Sequence, residues 1–592
     1  MTDRSWELRG GCEAEARGLA AELGVSQILS RLLVRRGLGD PAAAHRFLNP
    51  SLLDLHDPFL LPGMAQAVER IAQALKLGES ILVHGDYDVD GLTSAALLGR
   101  SLSALGAKVE TRAPHRANNG YDLQPESVER AAEEGHRLIV TSDCGTSALE
   151  AAARARELGI DLVVTDHHQP GPEVVDALAV VNPHLPSSDY PFKDICAAAV
   201  TLKLVCALSQ HLGHSATAAL RAFLDLAALG TASDLMPLVD ENRAIVRFGL
   251  EALQQTRKLG LLALMQTAGC HGRALNAWDL GFVLGPRLNA IGRMDDAQLG
   301  VELLLTKDEP RALALARKLE EANRRRKVEQ ARVFEEARAQ AATRDLGACS
   351  VLVLSGQGWS SGVIGLVATR IAETFRRPTI VIAEENGVGR ASCRSLAGFH
   401  LMRALDACRD LLIRCGGHQG AAGFDLKMAN LAAFRDRIND LAADEALDWD
   451  AQAALAVDLV LPPDAITQQL QTELRLLEPF GVGNPEPLFA STLALLSCRR
   501  IGSDGSHLKL SFRGDGLSPT DAVYWRRGEL YPNLSPGTDL EVCFRLRQNA
   551  YNGRESLQLE VEALRVPSEG NRLEPLAAPG GAGDPFTLAG SL

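Results

Sequence analysis

The chain has 592 residues, 46% hydrophobic and 23% charged, with a formal net charge of −13. That length exceeds a single core and predicts roughly three or four domains. No run of about 18 uncharged apolar residues occurs, and the start, MTDRSWELRGGCEAEARG, lacks a basic-then-apolar leader, so neither a membrane span nor a secretory signal is expected. The acidic balance argues against a general polyanion binder. It leaves room for a local basic groove, or for two divalent cations that would add about four positive charges at one place. Eleven cysteines are spread singly from Cys12 to Cys543 with no C-x-x-C pair; the pattern reads as reduced thiols in a cytoplasmic protein, not as a disulfide framework or a zinc site.

In chain order, residues 1–45 read as a helical segment. Residues 46–306 then alternate short apolar strands with helices. GESILVHGD carries a strand at Ile81–Val83, and Thr93–Leu105 follows as a helix; HRLIVTSD and DLVVTD repeat the design around a helix at Ala148–Gly159. That spacing predicts a parallel α/β sheet. Helical patterns fill Leu185 to about Thr306. Residues 307–344 form a charged stretch of strong helix formers with no Gly or Pro after Pro310. Its Arg324, Arg325, Arg326 and Lys327 are more often the solvated face of a connecting helix than phosphate contacts. VLVLSG, VIGLVATRIAETF and PTIVIAE open a second, smaller α/β unit at 345–446, which closes with the glycine-rich GGHQGAAGF. Short strands at 447–566 (HLKLSF, DAVYW, LEVCFRLR, SLQLEVEALR) suggest an oligonucleotide-binding-like β-barrel. The Pro/Gly/Ala-rich 567–592 reads as a disordered tail.

Four acidic or histidine-bearing segments fall where strands should end: HGDYDVDG at 84–91, TSDCG at 141–145, TDHH at 165–168 and GTASD at 230–234. Ligands of parallel α/β sheets collect beyond the carboxyl ends of the strands, so residues distant in sequence are expected on one rim. A lone D-x-D-G is usually a turn, a lone His-His pair usually incidental, and GTASD a helix start. Their joint occurrence, in this order, is what points to chemistry. Two oxygen-rich cation sites fit the residue types, with His84, Asp88 and Asp90 on one loop, Asp143 placed to bridge, and His167 and Asp234 to complete the second. Oxygen ligation favours magnesium or manganese, and the histidines tilt the choice toward manganese. Such a pair hydrolyses phosphate esters.

The four segments in order resemble the DHH phosphoesterase superfamily, and the second α/β unit with GGHQGAAGF resembles its DHHA1 companion domain. HGDYDVDGLTSAALL, PHRANNGYDL, GPRLNAIGRMDDA and LEPFGVGNPEPLF before a β-rich end are similar, more narrowly, to the RecJ nuclease family, over roughly Leu23 to Val566. The resemblance implies a parallel-sheet DHH domain joined by a long helix to a DHHA1 domain, followed by an OB-like barrel. It implies a 5′→3′ exonuclease specific for single-stranded DNA, acting in recombination and repair with two Mn2+ or Mg2+ ions and releasing 5′-mononucleotides. A helicase, a single-strand-binding protein and a monomeric state belong to the same expectation.

Carried onto this chain, the resemblance puts His84 and Asp88 on one ion and Asp90, His167 and Asp234 on the other, with Asp143 bridging. His168 would meet the scissile phosphate or protonate the leaving oxygen, and Asp166 would orient the histidines. Asp86 is near but not required. Arg116, Arg394, Ser395, Gly417 and His418 match the set that holds a 5′ end, and Arg287, Asn289 and Arg293 a strand-contacting set; for each arginine a structural ion pair is the competing reading. Tyr524, Trp525, His507 and Lys509 would supply stacking and charge in the barrel, with core packing the commoner use of the two aromatics. Ser360, Asp122 and Ala198 depart from the family pattern without removing a metal ligand. A DHH phosphoesterase acting on short oligonucleotides or nucleotide phosphates is the alternative activity, and a ligand-deficient DNA-binding scaffold the non-catalytic one.

Overall fold

The computed structural model describes residues 5–8, 10, 13–114, 122–347, 349–396, 398–443, 454–551 and 554–567. Arg116 and residues 568–592, most of the expected tail, lie outside the described residues. The chain divides into two compact units. One comprises Met1–Pro50, Ala453–Phe480 and Asn484–Leu592; the other comprises Ser51–Gln452 with Gly481–Gly483.

The first unit begins with β1 (Trp6–Leu8) and helices α1 (Glu13–Leu23), α2 (Gln27–Arg35) and α3 (Pro41–Leu48). Ser26 caps α2 by accepting the Leu29 N–H, and Asp40 caps α3, with Pro41 preset for the first helical position. β1 pairs in parallel with Leu455–Val457, so the helical segment at the start shares a unit with the β-rich end.

The second unit is built on a five-stranded parallel sheet of β2 (Ser80–Gly85), β3 (Lys108–Arg112), β4 (Leu138–Ser142), β5 (Asp161–Thr165) and β6 (Ala179–Val181), in the order β3-β2-β4-β5-β6. Its helices are α4 (Met64–Leu77), α5 (Val89–Ala104), α6 (Pro125–Glu133) and α7 (Leu149–Glu157). Alternate strand residues enter different cores. Ile81, Val83, Leu138, Val140 and Val163 pack with α4 and α5, whereas Leu82, Ile139, Leu162 and Val164 pack with α6 and α7. Both faces are buried, which is why these strands read as continuous apolar runs. The helix expected from Thr93 starts earlier because Asp88 caps it.

Helices α8 (Ala197–His211), α9 (Ala216–Ser233), α10 (Asp240–Gln254) and α11 (Leu259–Thr267), a π-helical turn at Asp279–Leu284, α12 (Gly285–Met294) and α13 (Gln298–Leu305) follow. The single helix α14 (Glu309–Ala342) then carries two apolar stretches. Ala312, Leu315, Ala316, Leu319 and Ala322 belong to the first core, and Val333, Phe334, Ala337 and Ala341 to that of the next sheet. Among its four adjacent basic residues, Arg324 pairs with Glu321 and Arg325 with Asp295, as expected of a solvated face. Arg326 instead turns inward and donates to Asn323.

The second sheet comprises β7 (Leu352–Gln357), β8 (Thr379–Glu385), β9 (Val388–Arg394), β10 (Leu412–Gly417) and β11 (Ala421–Lys427), in the order β10-β11-β9-β8-β7. Only β7 and β8 run parallel; β8-β9-β11-β10 form an antiparallel edge. Helices α15 (Ile364–Phe375), α16 (Leu401–Asp406) and α17 (Leu431–Ala443) accompany it.

The chain returns to the first unit with β12 (Leu455–Val457), β13 (Leu459–Val460), α18 (Gln468–Leu474), β14 (Phe489–Ile501), β15 (His507–Gly514), β16 (Leu517–Tyr524), β17 (Asp539–Tyr551) and β18 (Arg554–Arg565). The 13-residue β14 pairs antiparallel with both β15 and β17, closing a barrel over Phe489, Phe512 and Phe544. Tyr524 is core, whereas Trp525 leaves half its surface exposed beside His507.

Helix α14 is expected to work as one rod. Lys327 is exposed near its middle, so Lys327→Ala should leave stability within about 0.5 kcal/mol, whereas Lys327→Pro should cost about 3 kcal/mol by breaking the helical ladder. Urea unfolding of the two variants checks this; equal midpoints would mean the helix is already interrupted there.

Candidate metal centre

Three of the four acidic segments are pinned to the neighbouring strand by one hydrogen bond beyond the ladder. The Asp86 N–H donates to Ser142 O at 3.2 Å, Asp143 N–H to Thr165 O at 3.0 Å and Asp166 N–H to Val181 O at 3.1 Å. The parallel register thereby sets three carboxylates at one rim. Asp143 takes a left-handed backbone, φ 70°, which Asp tolerates better than most residues. Gly91 is required in the first loop, because a Cβ there would lie 2.6 Å from both Asp86 N and Asp86 O.

Asp88 caps α5, accepting the Gly91 N–H at 3.0 Å. Asp90, in the first turn of α5, accepts the N–H groups of Ala197 at 2.6 Å and Ala198 at 2.9 Å, the first two residues of α8. The CAAAV departure therefore needs no special side chain: a helix N-terminus supplies the donors and a favourable dipole. Asp234 ends α9 as its C-cap, and Leu235 after it takes φ 56°.

These elements bring ligand atoms of Asp90, His167 and Asp234 within 4.8 Å of one another, and likewise those of Asp86, Asp88 and Asp143. His167 Nε2 stands 3.2 Å from Asp143 Oδ1, 3.6 Å from Asp234 Oδ2 and 3.7 Å from Asp90 Oδ2. Asp143 thus touches both groups. His84, buried at the end of β2, is not in either triple. Asp86, which the sequence left aside, is. The three aspartates of D-x-D-x-D look equivalent in sequence, and only the onset of α5 separates their directions.

Asp166 is fully engaged. Its Oδ1 accepts from the backbone of His167 at 2.7 Å and of His168 at 3.1 Å and meets His168 Nδ1 at 2.8 Å, while Oδ2 accepts from Thr146 N at 3.1 Å. Burial opposes charge on His168, but the Asp166 hydrogen bond and charge prevail and lift it to about 9. Burial would raise Asp166, yet the same pairing pulls it down to about 2. The pairing therefore orients His168 and favours its protonated form in the metal-free protein. The pair's contribution to stability is complete from above the ordinary aspartate value to below the ordinary histidine value, and it fades as pH rises through about 9.

The remaining carboxylates are frustrated. Burial first, and then their neighbours' charges, push Asp86, Asp143 and Asp234 well above the usual aspartate range. Burial first, then Arg112, pushes His84 down to about 4, and burial lowers His167. Both His84 ring nitrogens, Asp86 Oδ1, Asp143 Oδ1 and Asp234 Oδ2 are buried without a hydrogen-bond partner. Orphaned acceptors cost about 1–3 kcal/mol each. Divalent cations satisfy such a set, and a mix of carboxylate oxygen with imidazole nitrogen suits Mn2+ or Mg2+.

Of the other expected residues, Arg394, Ser395, Gly417 and His418 are brought together at one end of the second sheet. Arg394 pairs in register with Ala421, Ser395 N–H donates to Gly420 O at 2.8 Å and His418 N–H to Ala421 O at 2.8 Å. The α12 residues are engaged structurally. Arg287 pairs with Glu320 at 2.5 Å, Asn289 Oδ1 accepts from Val89 N at 3.2 Å, and Arg293 donates to Gly362 O at 3.2 Å, in the loop carrying Ser360. Asp122, at φ 73°, accepts the Gly145 N–H at 2.7 Å and so braces the loop after Asp143.

Residues 80–231 match the DHH family, N-terminal domain, residues 348–444 the DHHA1 domain and residues 457–563 the RecJ OB domain. The class is thus a DHH domain followed in sequence by a DHHA1 domain and then an OB domain. The chain is 36% identical to the single-stranded-DNA-specific exonuclease RecJ of Bacillus subtilis, over 95% of this chain and 71% of that one. It is 33% identical to that of Escherichia coli, over 93% and 97%. The crystal structure of RecJ in complex with Mn2+ from Thermus thermophilus superposes with a TM-score of 0.81 at 34% identity, covering 96% of this chain and 80% of that one; the Mg2+ complex gives 0.77 at 33%, covering 96% and 79%. The chain belongs to the RecJ family of single-stranded-DNA-specific exonucleases. Among the described residues no helix is long and apolar enough to cross a membrane.

A carboxyl whose folded pKa is raised stabilises while protonated and loses that contribution as pH rises. Asp143→Asn should therefore raise the thermal midpoint of EDTA-treated protein, little near pH 4 and more with increasing pH. Mn2+ should raise the midpoint of the parent and not of the variant. Thermal melts across pH, with and without Mn2+, check both signs; a metal-free variant less stable than the parent at pH 8 contradicts the account.

Proposed function

We propose that this chain is a single-stranded-DNA-specific exonuclease that removes 5′-mononucleotides from the 5′ end by two-metal-ion phosphodiester hydrolysis, in recombination and repair. The observation that carries it is the convergence of two ligand groups on Asp143, one of carboxylates with His167 and one of carboxylates alone, in a chain of this family. Asp90, His167 and Asp234 would hold one ion, Asp88 with Asp86 or His84 the other, and Asp143 both. When bound, the ions lower the pKa of an attacking water and neutralise charge on the phosphoryl oxygens.

The protein's own contribution is positional. The α8 amides hold Asp90 against its neighbours' repulsion, and Asp166 fixes the His168 ring and keeps it protonated. His168 then contacts the scissile phosphate and gives its proton to the leaving oxygen. Arg394, Ser395, Gly417 and His418 receive the 5′ end, a role shared by Arg116. Trp525, His507 and Lys509 of the barrel contact single-stranded DNA. In this reading the working divisions are 46–306 for catalysis, 307–344 for the connecting helix, 345–446 for end recognition and 447–566 for strand binding. The enzyme acts as a cytoplasmic monomer on strands opened by a helicase and coated by a single-strand-binding protein.

The test is digestion of a single-stranded oligonucleotide labelled at either end, in Mn2+, with blunt duplex as control. Mononucleotides should appear from the 5′ end and duplex should resist. His168→Ala should lower kcat by about 10²–10⁴-fold. Equal digestion of duplex, or release only from the 3′ end, overturns the assignment. Activity confined to dinucleotides would favour a short-oligonucleotide phosphoesterase instead.

A further inference from the structure

Beside the metal centre lies an apolar surface that the reading above does not use. Trp278 and Phe282 leave 60% and 55% of their surfaces exposed, with ring centroids 5.7 Å apart and planes inclined by 26°. Two large aromatics stacked in water are uncommon on a surface with nothing to bind. Trp278 precedes and Phe282 lies within the only π-helical turn among the described residues, Asp279–Leu284, a departure that occurs often at functional sites.

The turn is seated on the end of α9, the helix that delivers Asp234. Gly281 lies so close that a Cβ would stand 2.9 Å from Ala232 O and 4.0 Å from Leu235 Cδ2. Ser233 Oγ donates to Leu280 O at 3.4 Å. Leu235, half exposed at φ 56°, directly follows Asp234. Leu235, Trp278 and Phe282 thus form one apolar patch at the corner where a proposed ligand emerges. The base of the turn is clamped: Arg273 binds Asp279 through two bonds, at 2.8 and 2.5 Å, and Asn276 and Asp279 cap each other at 3.1 and 3.0 Å. The rings are therefore presented on a rigid support, which limits the ordering cost of binding.

We propose that Trp278 and Phe282, with Leu235, form a stacking platform for a nucleobase close to the scissile bond. This rests on the reading of the centre as a single-strand nuclease. The patch is continuous with the end of α9 that carries Asp234, so a chain whose phosphate reaches the centre brings its adjoining base within range of this corner. Aromatic faces bind any base, because every base has a π-face. A paired base is already stacked and cannot lie on such a platform, so the patch favours unpaired strands without reading sequence. Neither ring contacts the reacting atoms; the platform sets strand affinity and register.

The test uses the full chain and the double variant Trp278→Ala/Phe282→Ala, with (dT)20 and with the same strand carrying abasic residues near its 5′ end. The variant should raise KM for (dT)20 by about tenfold or more while kcat changes less than twofold, and Trp278→Phe should restore most of the affinity. The parent should lose a similar factor on the abasic strand, and the variant no further factor, so the two losses do not add. Hydrolysis of bis(p-nitrophenyl) phosphate, which has no base, should be unchanged. A variant with parental KM, or with losses that multiply on the abasic strand, overturns the platform and leaves the nuclease standing. If the parent cleaves no strand but binds (dT)20 by fluorescence anisotropy and the variant does not, the nuclease falls and the platform stands. If neither protein binds (dT)20, the platform is overturned, and the patch belongs to a protein partner.

Discussion

The constraint on which the structure turns is the crowding of buried carboxylates at one sheet rim. Asp86, Asp90, Asp143 and Asp234 are negative groups that burial and mutual repulsion drive toward the protonated form. The fold holds them there regardless. Parallel register carries β2, β4 and β5 to the same edge, and one backbone bond past each strand stops the chain from relaxing away. Asp90 has a further restraint, because the amides of Ala197 and Ala198 grip both its oxygens. Folding free energy is thus spent on keeping together groups that only cations reconcile.

That arrangement also resolves the conflict between an acidic chain and a polyanionic substrate class. Net charge is a sum over the surface, whereas strand attraction depends on the charge at the cleft. Two divalent ions would offset most of the negative charge at the rim. Elsewhere many arginines are already matched: Arg287 with Glu320, Arg325 with Asp295, Arg332 with Glu329 and Glu336. Such pairs neutralise donors that a count of basic residues would credit to DNA.

Strand ends and their acidic residues were legible because a doubly buried parallel strand is a short apolar run followed abruptly by polar residues, as in LIVTSD and LVVTDHH. The second α/β unit and the long helix were legible on the same grounds of period and composition. Direction was not. Asp86, Asp88 and Asp90 alternate as if on one strand, yet a helix begins at Val89, so one acid caps it, one enters its first turn and Asp86 stays beside Asp143. Adjacent Tyr524 and Trp525 likewise have opposite fates, core and surface. Asp122 read as a departure that removes no metal ligand, and its effect was not legible; in the structure its carboxylate accepts the Gly145 amide. Side-chain direction depends on tertiary partners that a local pattern does not contain.

The same limit explains why Trp278 and Phe282 drew no notice in the sequence: aromatics four residues apart on a helical pattern usually mark a buried face. Their exposure is a consequence of the α9 corner. Gly281 presses its side of the turn onto Ala232, which leaves the neighbouring aromatic positions nowhere to go but outward. Asp143, which touches both ligand groups, takes φ 70°, and Leu235, which follows Asp234, takes φ 56°, and non-glycine residues keep such conformations only where the surroundings over-determine them. Here the surroundings are the strand-end bonds on one side and the clamped turn on the other. The packing that fixes Asp234 therefore also fixes the outward aromatic pair, and a shift of the turn would disturb ligand and patch together.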